Sequence, residues 1–172
     1  MRCKIIYLLA IISLLAVGCN EADDGNHVDP ITLNEKIKGE WGLMNLKMVD
    51  EVAKAAKTEP SEQDLSTLFN YDNFRITFKV DENNLPTTYE VAGDVPPLFA
   101  LNGYWSLSND FQQANGEAVR IYLYSDAQKT MKTDELRLAA VPGSNEQMEL
   151  HLVRVSGGIP FISYKFQLNA IN

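Results

Sequence analysis

Gly39-Glu40-Trp41 is where the chain changes from a polar lead-in to a folded body, and the run that it opens decides the fold. That run is Trp41-Gly42-Leu43-Met44-Asn45-Leu46-Lys47-Met48-Val49. Trp41 and Leu43 share one phase of a two-residue repeat, whereas Met44, Leu46 and Met48 share the other. One extra residue in a strand swaps the face that is buried. The run therefore predicts a first strand with a bulge near Leu43.

Downstream, Asn73-Phe74-Arg75-Ile76-Thr77-Phe78-Lys79-Val80 alternates most cleanly, with Phe74, Ile76, Phe78 and Val80 opposite Arg75, Thr77 and Lys79. Similar runs lie at 87–92 (Tyr89 and Val91 in phase), 101–107 (opening on Gly103-Tyr104-Trp105) and 118–125 (Val119, Ile121, Leu123). Three more occupy 133–141 (Leu136, Leu138), 147–155 (Met148, Leu150, Leu152) and 161–171 (Ile162, Tyr164, Phe166, Leu168). Turn residues separate them, among them Pro96-Pro97, Pro142-Gly143-Ser144-Asn145 and Ser156-Gly157-Gly158. About eight short strands so linked predict an all-β, up-and-down antiparallel sheet that closes into a barrel instead of leaving adhesive edges.

Ahead of Gly39, Thr32-Leu33-Asn34-Glu35 reads as a capping box, in which hydroxyl and carboxylate satisfy each other's backbone N–H groups at a helix start. Leu33 and Ile37 share a face, and Gly39 is a natural helix end. After the first strand, 51–57 and 61–71 read as two helical pieces parted by Pro60; Ser61 is a good N-cap, and Leu65, Leu68 and Phe69 fall at helical spacing. Together they predict a helical lid between the first two strands.

The 172 residues, 45% hydrophobic and 22% charged, suit one domain with a sizeable core. The N-terminus has the three parts of a secretory signal: Arg2 and Lys4, an apolar run at 5–17, and the small residues Ala16-Val17-Gly18 before Cys19. A run of 13 residues is too short to span a bilayer, which takes ~20. Removing residues 1–18 leaves 13 basic against 23 acidic residues, a charge of −10. Nucleic acid is not expected as a partner, because phosphate backbones call for a concentrated basic surface. The expected organisation is a signal at 1–18, an acidic flexible tether at 19–31 and the barrel at 32–172.

Both cysteines, Cys3 and Cys19, precede the body, which excludes a thiol nucleophile, a disulfide or a metal–thiolate site within it. His151 is the one histidine of the body, since His27 lies in the tether. It alternates with Leu150 and Leu152 and so is expected on the outer face. A serine nucleophile needs a histidine base, and a zinc centre needs several converging ligands. The acid pairs Asp81-Glu82 and Asp134-Glu135 do not suit glycoside hydrolysis, because neighbours along a strand point to opposite faces. No enzyme, metal or cofactor is expected.

Tyr89, Phe99, Tyr104 and Trp105, with Tyr122 and Tyr124, offer aromatic faces and, in all but Phe99, polar tips that suit sugars and amphiphiles. Barrel filling and cross-strand pairing explain the same residues. An eight-stranded barrel has room for filling side chains or for one small ligand. The inward set is bulky, which leaves any site near the open mouth, where 51–71 and 93–99 either border it as a lid or cap the core.

A capped helical turn, Gly-x-Trp opening the first strand, a long first connection and about eight hairpin-linked strands resemble the lipocalin-like superfamily over 32–172. The resemblance implies that Gly39 and Trp41 close one end of the barrel, with a late basic residue over the tryptophan. Lys165 and Arg154 are both candidates, and Lys165 is taken for that part. Ala16-Val17-Gly18-Cys19 resembles the bacterial lipobox, with Ala16 in place of the commoner leucine, and implies lipid on Cys19. More narrowly, Tyr104-Trp105-Ser106-Leu107, Phe111, Ala114-Asn115-Gly116-Glu117, Ala140-Val141-Pro142-Gly143 and Met148-Glu149-Leu150 are similar to lipocalin-like lipoproteins of unknown function from Bacteroidetes. That likeness, with Asn20 and the acidic cluster after Cys19, implies an outer-membrane lipoprotein, surface-exposed or facing the periplasm. The expected role is a binding module for a small apolar or amphiphilic ligand or a glycan fragment. The alternative is a non-catalytic structural or interaction subunit of a cell-surface assembly, such as one that handles glycans.

Overall fold

The structure, a computed structural model, describes residues 29–69, 71, 73–94 and 98–171. The chain divides into two units, Met1–Pro30 and Ile31–Asn172, and every element below belongs to the second. The expected signal, lipobox and most of the tether lie outside the described residues.

The body is an all-β closed barrel of eight antiparallel strands, with a short ninth strand paired alongside the first. β1 (Gly39–Asp50), β3 (Arg75–Val80), β4 (Pro86–Ala92), β5 (Asn102–Leu107), β6 (Val119–Tyr124), β7 (Lys132–Ala140), β8 (Gln147–Ser156) and β9 (Ile159–Ala170) pair in sequence order. β1 then pairs with β9 from Trp41↔Ala170 to Asp50↔Ile162, which removes both edges. The up-and-down barrel read from the alternation is the one observed.

The bulge also forms. Leu43 pairs with Leu168 and Asn45 with Gln167, so Met44 has no partner and lies 55% exposed. The inserted residue lets Trp41 and then Leu46 both enter the core.

α1 (Leu33–Ile37) begins with the capping box: Glu35 Oε2 accepts from the Thr32 N–H at 2.8 Å, and Thr32 Oγ1 accepts from the Glu35 N–H at 3.3 Å. The Thr32 N–H, and after it the Thr32 hydroxyl, which donates to Glu35 Oε2 at 2.9 Å, hold the Glu35 carboxyl below its usual range. Asp110, in the β5–β6 loop, fixes the helix by accepting from the Leu33 N–H at its carbonyl and from Asn34 Nδ2 at its carboxylate. Gly39 comes next at φ +119°, a backbone angle that glycine reaches without strain.

The connection from β1 to β3 departs from expectation. Among its described residues only Glu51–Ala55 is helical; this α2 is capped by Asp50 and lies against the outer side of β9, where buried Ser163 donates to Glu51 at 2.5 Å. In place of a second helix comes β2 (Glu62–Asp64), paired with Lys47–Val49 of β1, and then a turn. The reason is tertiary. β3 pairs β1 only from Gly39 to Gly42, so the distal half of β1 needs another partner. Asp50 N–H donates to Ser61 O, Leu65 N–H to Leu46 O, and Leu46 N–H to Ser66 Oγ, at 2.7–2.9 Å. Satisfying these groups outweighs the local helix signal of Ser61 and Leu65.

Candidate functional site at the barrel mouth

The register places α1, the β3–β4 and β7–β8 turns and Trp41 at one end of the barrel. The β1–β3 connection, the loop after β4, the β6–β7 turn and the β8–β9 hairpin lie at the other end, the mouth.

Between the ends the interior is filled. Trp41, Phe78, Trp105, Ile76, Ile121, Leu136, Leu138, Leu150, Leu152, Phe74 and Phe166 are each no more than 3% exposed and belong to one core. Phe78 meets Trp105 edge-on at 5.0 Å between centroids, and Phe74 meets Phe166 at 5.7 Å. The bulky inward set does what bulky side chains do in a barrel of this size: it packs the lumen.

The loop after β4 caps this column. Leu98 and Phe99 pack on the core, and the Phe99 ring stands edge-on to Phe166 at 5.9 Å. Two polar contacts hold the loop. Tyr89 Oη donates to Ala100 O at 3.2 Å, and Arg154 donates to Leu98 O from a guanidinium that also meets Asp134 Oδ1 at 2.8 Å. Asp134 and Arg154 come from β7 and β8, each two residues beyond the last ladder pair, Leu136↔Leu152. Burial, and secondarily the negative charge of Asp134, pushes the Tyr89 phenol up to about 12. The arrangement is a plug of one phenylalanine held by a phenol, a guanidinium and a carboxylate.

The four residues expected to meet a ligand are thus dispersed. Phe99 is the plug, and Tyr89 is 1% exposed below it. Trp105 is fully buried and donates through Nε1 to Lys79 O at 2.9 Å. Tyr104 alternates with Trp105 and faces outward, opposite Tyr124. Gly103, before it, has no room for a side chain: a Cβ would sit 2.3 Å from the Tyr124 carbonyl oxygen and 3.0 Å from the Tyr89 ring.

At the closed end, Trp41 is 3% exposed and donates from Nε1 to Ile37 O at 2.7 Å. Lys165 is not over it. Lys165 pairs with Lys47, far along β1, and its outward Nζ meets Glu62 Oε1 at 2.7 Å. Its phase is set by Phe166, whose inward side chain forces Lys165 to the other face. Arg154 lies at the mouth. Beside Trp41 is an outer cleft of about 350 Å³ lined by Ile31, Lys36, Lys38 and Pro142.

His151 faces outward, with Nε2 2.5 Å from Glu149 Oε1. Asp134 turns in to Arg154, whereas Glu135 turns out to Arg120 and Lys132. Among the described residues no three His, Cys, Asp or Glu side chains converge as a metal site, and no helix is long and apolar enough to cross a membrane. Sequence reasoning singles out Tyr89 but not the plug's charged anchors: Asp134 reads as half of an acid pair, and Arg154 as a candidate for the other end. The signal for both is their inward phase, in register with Leu136 and Leu152.

No curated protein and no solved structure matches the chain significantly. A family model described as a domain of unknown function, DUF5004, matches residues 17–169, nearly all of the chain. The closed barrel is consistent with a lipocalin-like architecture and compatible with a binding module. By the extent of that match, the chain belongs to the DUF5004 family.

Proposed function

We propose that this domain is a non-enzymatic interaction module, held at the outer membrane by lipid on Cys19, whose barrel is a rigid scaffold for binding a protein of a surface assembly. The observation that supports it is the filled lumen: a column of side chains from Trp41 to Phe99 leaves the calyx to the protein itself. Apolar side chains on the connections at the mouth also support it, with Val52, Leu101, Met131 and Ile159 each more than half exposed. Bare apolar side chains of this kind suit contact with another protein.

The test is crosslinking and co-purification from detergent-solubilised membranes, beside native mass spectrometry against phospholipids and oligosaccharides. A defined protein partner is expected. A stoichiometric small ligand with no protein partner would overturn the reading. Radiolabelled palmitate incorporation lost in Cys19→Ser tests the anchor.

A second reading rests on the plug. Displacing Phe99 brings Tyr89, Asp134 and Arg154 around an apolar floor, an arrangement suited to a small amphiphile or a glycan fragment. Thermal stabilisation by such a ligand, lost in Arg154→Leu, would favour it.

A further inference from the structure

β8 and β9 outrun their neighbours. The β7–β8 ladder ends at Leu136↔Leu152 and the β1–β9 ladder at Asp50↔Ile162, whereas β8 and β9 stay paired to Ser156↔Ile159. The tip of this hairpin therefore stands beyond the wall with a strand edge on each side. Its side chains are apolar and bare: Val155 is 52% exposed, Ile159 67% and Phe161 40%.

The two edges differ. On the β9 side Pro160 lacks an N–H, a common protection of an edge against pairing. On the β8 side nothing of the kind intervenes. Where β7 and β8 part they leave a cleft of about 280 Å³, lined by 132–135 on one side and by Val153, Arg154 and Val155 on the other. β7 remains paired to β6 here, through Leu123↔Asp134 and Tyr124↔Lys132. The parted segments thus face each other as two strand edges, each rigid on its far side, with the Asp134–Arg154 pair forming the floor.

From this we infer that the slot between β7 and β8 is a strand-addition site, which takes an extended segment of a partner polypeptide against the Val153–Ser156 edge. The inference rests on the interaction role proposed above and names its site. The chemistry lining the slot selects the occupant. Two backbone edges a few residues long are completed by another backbone in extended conformation, which returns their hydrogen bonds. A lipid or a sugar does not supply alternating N–H and C=O groups at strand spacing. Val153 and Val155, on one face of the β8 edge, then offer apolar contacts to alternate side chains of the guest, and the missing β7–β8 ladder is restored through it.

The test uses the full chain carrying Cys3→Ser and Cys19→Ser, panned against a random dodecapeptide library displayed on phage. Enrichment of alternating, β-branched sequences is expected, with amides at 153–156 gaining exchange protection when the synthetic peptide binds. Thr133→Cys with Val155→Cys, closed by oxidation, should weaken peptide binding at least about tenfold, and reduction should restore it. Because the two cysteines must meet for that arm to work, Val153→Lys with Val155→Lys serves as an independent edge blocker at exposed or half-exposed positions, with the same loss expected. Failure to enrich any peptide, or binding unchanged in the lysine variant, overturns the slot. If the partner captured from membranes binds the lysine variant as well as the wild-type chain, the slot is wrong but the interaction role stands. If no partner is captured while peptides bind at the slot, the reverse holds.

Discussion

Trp41 Nε1 donates to the carbonyl oxygen of Ile37 at 2.7 Å, so the first large side chain of β1 closes the last turn of α1. One residue thereby fills the closed end of the barrel and satisfies a helix-terminal acceptor that would otherwise be buried alone. Trp41→Ala should cost about 3–5 kcal/mol, from lost burial and the cavity left behind. Trp41→Phe keeps most of the packing and should cost about 1–3 kcal/mol, the penalty of an orphaned buried acceptor. Urea unfolding of both variants checks this; wild-type stability in Trp41→Ala would mean that the fold does not begin where the register places it.

Deleting Met44 removes the bulge that lets β1 change phase. Without it, either Trp41 and Leu43 or Leu46 and Met48 must turn to solvent, because side-chain direction alternates strictly along a strand. The deletion should abolish cooperative unfolding and collapse amide dispersion in a 15N–1H spectrum. Met44→Ala keeps the count and truncates an exposed side chain, so it should lie within about 0.5 kcal/mol of wild type.

Phe99 caps the packed column, with its ring edge-on to Phe166, which is 2% exposed beneath it. Phe99→Ala should cost about 0.5–1.5 kcal/mol for the aromatic pair alone. More telling is 1-anilinonaphthalene-8-sulfonate fluorescence, which should rise in the variant under native conditions and stay flat in the wild type. An unchanged signal in a folded Phe99→Ala protein would show that the loop seals the mouth without its ring.

Tyr89 carries a phenol pushed up to about 12 by burial. In the unfolded chain the phenol ionises near 10, so between the two values the unfolded state has released a proton that the folded state holds. Folding stability is therefore untouched by this group below pH ~10 and falls as the pH rises from there toward 12. Absorbance at 295 nm should show one late-titrating tyrosine that is missing in Tyr89→Phe, and the alkaline loss of stability should be shallower in that variant.

Local pattern alone determined a good deal here. The alternation of Phe74, Ile76 and Phe78, and of Val119, Ile121 and Leu123, identifies strands and their buried face, because a period of two admits one face to the core. The phase conflict within β1 demanded a bulge, and Thr32 with Glu35 marked a helix start whose bonds close within four residues. What the tertiary structure decided are relations between distant segments. The helix signal at 61–71 yielded to β2 because the distal half of β1 lacked a partner once β3 had ended. Lys165 was held away from Trp41 by a register that only the closure of β9 on β1 sets. Whether the barrel is hollow could not be read from a list of inward residues, since filling depends on how far side chains from opposite walls reach one another. The plug of Phe99, its anchors Tyr89, Asp134 and Arg154, and the slot where β7 leaves β8 exist only because strands of unequal length close into one sheet.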